Sequence, residues 1–210
     1  MHPLLPVLLA AAEGTFPPVD GGVIYMPPLA DGWEAIVSFT GRAFVASRLG
    51  KEAFTDLQPD GFGQILRPEV QLRMAAGGTV GVVDATLVTR GRGGGTLQPR
   101  DDLDHHPRVK YAQAQRQEVE IFGDHDGLFT ISHGLAGRIE MSIETSGAGA
   151  GRGRELINEA LTMVPDGSPL FAAVSPGNAR SLRAFLACGF VPIGSEVLIR
   201  PEAASRNLVS

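Results

Sequence analysis

The last third of the chain switches repeatedly between two side-chain periods, and that switching limits its folds more than any other feature. Residues 138–144, Arg-Ile-Glu-Met-Ser-Ile-Glu, set polar and apolar side chains on alternate sides, as a strand with one apolar face does. A run of Gly and Ala follows (147–153, Gly-Ala-Gly-Ala-Gly-Arg-Gly). The period then becomes helical over 153–163, with Leu156, Ile157, Ala160 and Leu161 forming one stripe. A strand over 170–174, a helix over 179–188 and further strand material over 191–200 complete the pattern. Helices that alternate with strands in this way must pack on a sheet, so the expected class is α+β.

Upstream, Glu118–Phe122 and Leu128–His133 read as strands around Asp124-His125-Asp126-Gly127, where Asp-Gly is a hairpin signal. Residues 33–47 read as two short strands turning at Gly41. The spacing of Leu66, Val70 and Met74, with Pro68 near the first turn, predicts a helix over 64–76 that Gly77-Gly78 stops. Residues 79–90 read as one strand and 91–107 as a long loop. Residues 1–30, rich in Pro and Gly, read as an irregular or partly extended lead-in.

A net charge of −5 argues against a general nucleic-acid or anionic-membrane binder. The apolar run near the start has no Lys or Arg before it, unlike a secretory signal, and no stretch is long enough to span a bilayer. The expected location is therefore the cytoplasm. Cys188 is the single cysteine, which excludes an intramolecular disulfide, and it reads as a packing thiol. The acidic, His-bearing loop Asp101, Asp102, Asp104, His105 and His106 has adjacent histidines that cannot easily converge on one ion, and no metal site is expected.

A glycine-rich turn that opens a helix gathers unpaired N–H groups and the positive end of the helix dipole, a setting for a phosphate or another anion. The run at 147–153 lacks the lysine of a Walker loop. It also lacks the third small residue of a dinucleotide fingerprint, because Arg152 or Arg154 stands there. What fits is strand, Gly-x-Gly (Gly151 and Gly153), helix. Taken alone, this is equally a flexible turn before a helix.

The run occurs with a second motif. Ala148-Gly149-Ala150-Gly151-Arg152-Gly153 is followed by Asn178-Ala-Arg-Ser181-Leu-Arg-Ala-Phe185-Leu-Ala-Cys-Gly189-Phe190. In order and spacing, residues 139–190 resemble the GCN5-related N-acetyltransferase (GNAT) superfamily. The resemblance implies a GNAT-like acyl-CoA N-acyltransferase fold with a mixed, mostly antiparallel sheet flanked by helices. On that division, residues 1–78 are an N-terminal extension of unclear fold, 79–200 the core and 201–210 a tail. It implies acetyl-CoA as cosubstrate and an amine acceptor, either a small molecule or a peptide, and is compatible with a homodimer.

By the same resemblance, the backbone of Met141 and Ile143 would pair with pantetheine. Gly149, Gly151, Arg152, Gly153 and Arg154 would cradle the pyrophosphate, with Asn178 and Ser181 also at the cofactor. The Ile143 amide would polarise the thioester carbonyl, an oxyanion-hole role. Two positions depart from the pattern: Ala148 replaces the first loop Arg or Gln, and Phe185 replaces a tyrosine that could reprotonate the leaving thiolate.

For the base, Glu140 is the expected residue, with Glu144 on the same strand face. The structural alternative is that Arg138 pairs with a glutamate to stabilise the sheet. His133 at a strand end and Tyr111 are further candidates. The expected function is acetyl transfer from acetyl-CoA to an amine by direct attack in a ternary complex. The alternative is a GNAT-like protein that binds acyl-CoA or another ligand without transfer.

Overall fold

In the computed structural model of the chain, residues 1–146 and 151–202 are described. In chain order they form α1 (Leu4–Ala12), β1 (Gly22–Met26), β2 (Glu34–Phe39), β3 (Arg42–Ala46), α2 (Pro68–Ala75), β4 (Thr79–Val80) and β5 (Asp84–Arg90). There follow α3 (Pro107–Gln113), β6 (Gln117–Gly123), β7 (Gly127–His133), β8 (Ile139–Thr145), α4 (Arg152–Met163), β9 (Pro169–Val174), α5 (Ala179–Ala187) and β10 (Val191–Arg200). The architecture is mixed α/β, and the chain divides into two compact units. One holds Met1–Ala85 and the described residues from Ile193 onward; the other is Thr86–Pro192.

The first unit is built on the strand order β1-β3-β2-β10, with β4 also on β10. β1 runs parallel to β3, and the remaining pairs are antiparallel. The turn at Gly41, with φ +67°, joins β2 to β3 as expected. Ile36, Val45, Phe54, Met74, Val197 and Ile199 lie in its core. Three expectations change here. Residues 1–30 contain a helix, α1, which buries Leu4, Leu8 and Ala11 on one stripe, and a strand, β1. The helix over 64–76 is interrupted: a 3-10 turn at Gln64–Leu66 and α2 from Pro68 are separated by Arg67, whose backbone is extended, as suits the residue before a proline. The strand over 79–90 is two strands, β4 and β5, and between them the Gly81 amide donates to the Leu198 carbonyl at 2.8 Å.

The second unit has the strand order β5-β9-β8-β7-β6. β6, β7 and β8 form an antiparallel meander with Leu128 opposite Glu144, Thr130 opposite Ser142 and Ser132 opposite Glu140. β6 carries an irregularity between Gln117 and Glu120, where Glu118 adopts φ +51°.

The pleat decides which helix meets which face. Leu128 packs with Val109 of α3, Ile121 and Leu103. Its neighbour Gly127 points the other way, and a Cβ there would touch Leu156 of α4. α3 and α4 therefore cover opposite faces of this meander. α3 itself was not anticipated from the sequence; His106 caps it, its Nδ1 accepting from the Arg108 amide at 3.2 Å.

Among the described residues no helix is long and apolar enough to cross a membrane.

Candidate functional site

β8 and β9 run parallel, yet their ladder consists of one pair, Glu140 with Phe171. Beyond Glu140, residues 141–145 of β8 have no partner on β9. There a cleft of about 1020 Å³ is bounded by Ile143, Glu144 and Thr145, by Gly151, Gly153 and Arg154 at the start of α4, and by one side of α5. A cavity of this size suits a cofactor-sized ligand.

Each wall has a local cause. Gly151 precedes α4 with φ +112°, a conformation open to glycine and strained for other residues, and it turns the chain into the helix. Gly153 lies against Ile143: a Cβ on Gly153 would stand 3.7 Å from Ile143 Cδ1. Asn178 caps α5, its Oδ1 accepting from the Ser181 amide at 3.1 Å. Both residues line the cleft, as do Arg180, Arg183 and Ala184. Arg154, Arg180 and Arg183 line it, while Arg108 of α3 is paired with Glu144, the one acid among the lining residues. The cleft is thus strongly cationic within a chain whose net charge is −5, which suits a polyanion.

Of the residues expected at the cofactor, Ile143, Gly151, Gly153, Arg154, Asn178 and Ser181 line the cleft. Met141 is buried in the strand. Gly149 lies outside the described residues, as does Ala148. Arg152 does not line the cleft. It is bound instead to Asp124 at 3.2 Å, with Glu155 at 3.6 Å and Glu159 at 3.9 Å. Asp124 sits in the β6–β7 turn. Burial pushes its carboxyl upward, but the amides of Asp126 and Gly127 together with Arg152 hold it below its ordinary value.

Glu140 requires correction as a base. It is 3% exposed. Oε2 accepts from Nε and Nη2 of Arg138 at 2.9 and 2.8 Å, and Oε1 pairs with Arg116 at 2.6 Å. Burial raises its pKa, but the two guanidiniums outweigh that and hold it below the usual glutamate range. It is a structural carboxylate, and the alternative of an Arg138–glutamate pair is what forms. The face alternation is as expected: Glu140, Ser142 and Glu144 share one face, with Met141 and Ile143 on the other.

Glu144 lies in the cleft, and its Oε2 accepts from Arg108 Nε at 3.1 Å. His133 pairs with Glu118 at 3.4 Å. Tyr111 lies under the Arg108 guanidinium, 5.7 Å from its ring centroid. Neither His133 nor Tyr111 lines the cleft. Phe185 does not line it either: it is 3% exposed and meets Phe190 edge to face at 4.9 Å. Cys188 is buried, its thiol pushed up by burial against the opposing charges of Arg154 and Arg92. In the acidic loop, Arg100 pairs with Asp102 and brings its carboxyl down to about 2.

Sequence reasoning missed Arg108 and the buried role of Arg116. Nothing in their neighbourhood showed that residues 107–113 are a helix that lies over β8.

No protein-family model matches the chain, and no curated protein matches it. Among solved structures, an acetyltransferase of the GNAT family from Colwellia psychrerythraea is similar with a TM-score of 0.36 at 10% identity, over 64% of this chain and 62% of that one. The matched part is less than two thirds of that protein's length.

Proposed function

We propose that this chain is a coenzyme-A-dependent N-acyltransferase of GNAT-like fold, moving acetyl from acetyl-CoA to an amine in a ternary complex. The observation that carries the reading is the β8–β9 junction. Two parallel strands touch at Glu140 and Phe171 and then leave the edge of β8 open onto a cationic cleft. An extended pantetheine arm would add to that open edge as a strand does. The pyrophosphate would rest at the start of α4, where Gly151 and Gly153 expose backbone N–H groups and Arg154 adds charge. Arg180 and Arg183 would take further phosphate charge.

In this reading the amine nitrogen attacks the thioester carbonyl carbon as the carbon–sulfur bond breaks, with the Ile143 amide facing the carbonyl oxygen. The nitrogen's proton passes to solvent, and CoA leaves as a thiolate. No side-chain acid is required of Phe185, because a thiolate is a competent leaving group near neutral pH.

A second reading keeps the cofactor and drops the transfer. It is favoured by the locked state of Glu140 and by the position of Phe185 outside the cleft. Calorimetric titration with acetyl-CoA and CoA tests the shared part: binding is expected, and its absence would sink both readings. Thiol release over an amine panel then separates them, since sustained, amine-dependent release is required of an enzyme.

A further inference from the structure

On the α3 face of β8 stand two carboxylates in opposite situations. Glu140 is buried between Arg116 and Arg138. Glu144 is 41% exposed and holds a single arginine, Arg108, itself 34% exposed, through Nε alone. Among the described residues, neither terminal nitrogen of Arg108 has a hydrogen-bond partner. An exposed pair of this kind contributes little to stability and opens readily.

The pair lines the same cleft as the start of α4 but reaches it from the other face of β8. Glu144 lies opposite Leu128, on the face that α3 covers. Gly153 and the start of α4 lie against Ile143, on the other face. The unpaired edge of β8 connects the two faces. A ligand on Arg108 and Glu144 would thus approach that edge from the side opposite the pyrophosphate cradle. Its charge is constrained as well. A plain ammonium would meet Arg108 at close range, whereas an amine that also bears a carboxylate presents both signs to both side chains.

We propose that Arg108 and Glu144 form the acceptor anchor, and that the acceptor is a small amine carrying a carboxylate, of the amino-acid class. The carboxylate takes the terminal nitrogens of Arg108 as a bidentate pair, and the ammonium takes Glu144 on arrival, then loses one proton to solvent so that the neutral amine can attack. Tyr111, beneath the guanidinium, holds its plane. This inference rests on the acyl-transfer reading of the cleft.

The test is calorimetric titration of the CoA-saturated protein with matched ligands: β-alanine against propylamine, and phenylalanine against phenethylamine. The carboxylate-bearing member of at least one pair is expected to bind tenfold or more tightly than its partner. Arg108→Ala should abolish that difference while CoA affinity stays within twofold, and Arg108→Lys should restore part of it. Equal affinities, or no binding by any of the four, would overturn the inference and leave the CoA reading standing. So would a preference that survives Arg108→Ala, or a tenfold loss of CoA affinity in that variant, which would place Arg108 on the cofactor. If CoA itself does not bind the unaltered protein, both fall together.

Discussion

Glu140 and Phe171 are the single pair at which β8 and β9 meet, and the Arg138 guanidinium that grips Glu140 also lies over the Phe171 ring, 5.1 Å from its centroid. The junction that opens the cleft is thus fixed by a buried ionic cluster. Removing one partner leaves uncompensated charge, so Glu140→Ala should cost about 3–5 kcal/mol in denaturant unfolding. Because the folded pKa of Glu140 lies below its unfolded value, its contribution is present above the ordinary glutamate pKa of about 4.3 and is lost as pH falls through the lower folded value. Glu140→Gln should therefore show a shallower loss of stability below about pH 4 than the unaltered protein.

Gly134 tests the same cluster from outside. A Cβ there would collide with Glu140 Oε2. Gly134→Ala must displace the carboxylate, and a loss of about 1–3 kcal/mol is expected. An unchanged melting temperature would mean that the carboxylate has room to move.

The two cleft glycines should separate stability from binding. Gly151→Ala puts a side chain at φ +112° and should lower stability by about 1–3 kcal/mol. Gly153→Glu has ordinary space, suits a helix better than glycine and places a negative charge in the first turn. Its melting temperature should hold or rise, while acetyl-CoA affinity falls more than tenfold in calorimetry. Unchanged affinity would move the phosphate site elsewhere.

Phe185→Tyr should not create an acid. The ring is buried, so a hydroxyl added to it would be withdrawn from water at a cost of about 1–3 kcal/mol if unpaired. A rate of thiol release raised severalfold in that variant would contradict this placement.

Cys188 should react slowly. Its buried thiol has a raised pKa, so the native protein should resist alkylation by iodoacetamide at pH 7 and become labelled on unfolding. Comparison of labelling rates with and without denaturant checks this.

Local pattern was enough for most of the second unit. Period-two alternation located β8, the hairpin signal at Asp126-Gly127 located β6 and β7 on either side of it, and the helical stripe of Leu156, Ile157, Ala160 and Leu161 located α4 with its buried face. Glu140 shows where such reasoning stops. Its strand face was legible, but its pairing with Arg116, which is distant in sequence and stands in the short connection between α3 and β6, was not. The short α3, opened by Pro107 after a polar loop, has too few residues for its period to stand out. α1 was hidden by two prolines, Pro3 at its N-cap and Pro6 within its first turn, where proline is tolerated. That Gly151, Gly153, Asn178 and Ser181 share one cleft was readable because their motifs are continuous in sequence; the pairing of Arg108 with Glu144 was not.

The place of β10 bears on how the chain is made. This strand lies beside β2 and also pairs with β4, both of which are translated more than a hundred residues earlier. During synthesis, Glu34–Phe39 must wait with one backbone edge unsatisfied until Ser195–Ile199 leaves the ribosome. The whole of Thr86–Pro192 emerges in that interval. An apolar strand held open for that long is where nascent chains would stick to one another, so the first unit depends on the last strand for its solubility as well as for its core.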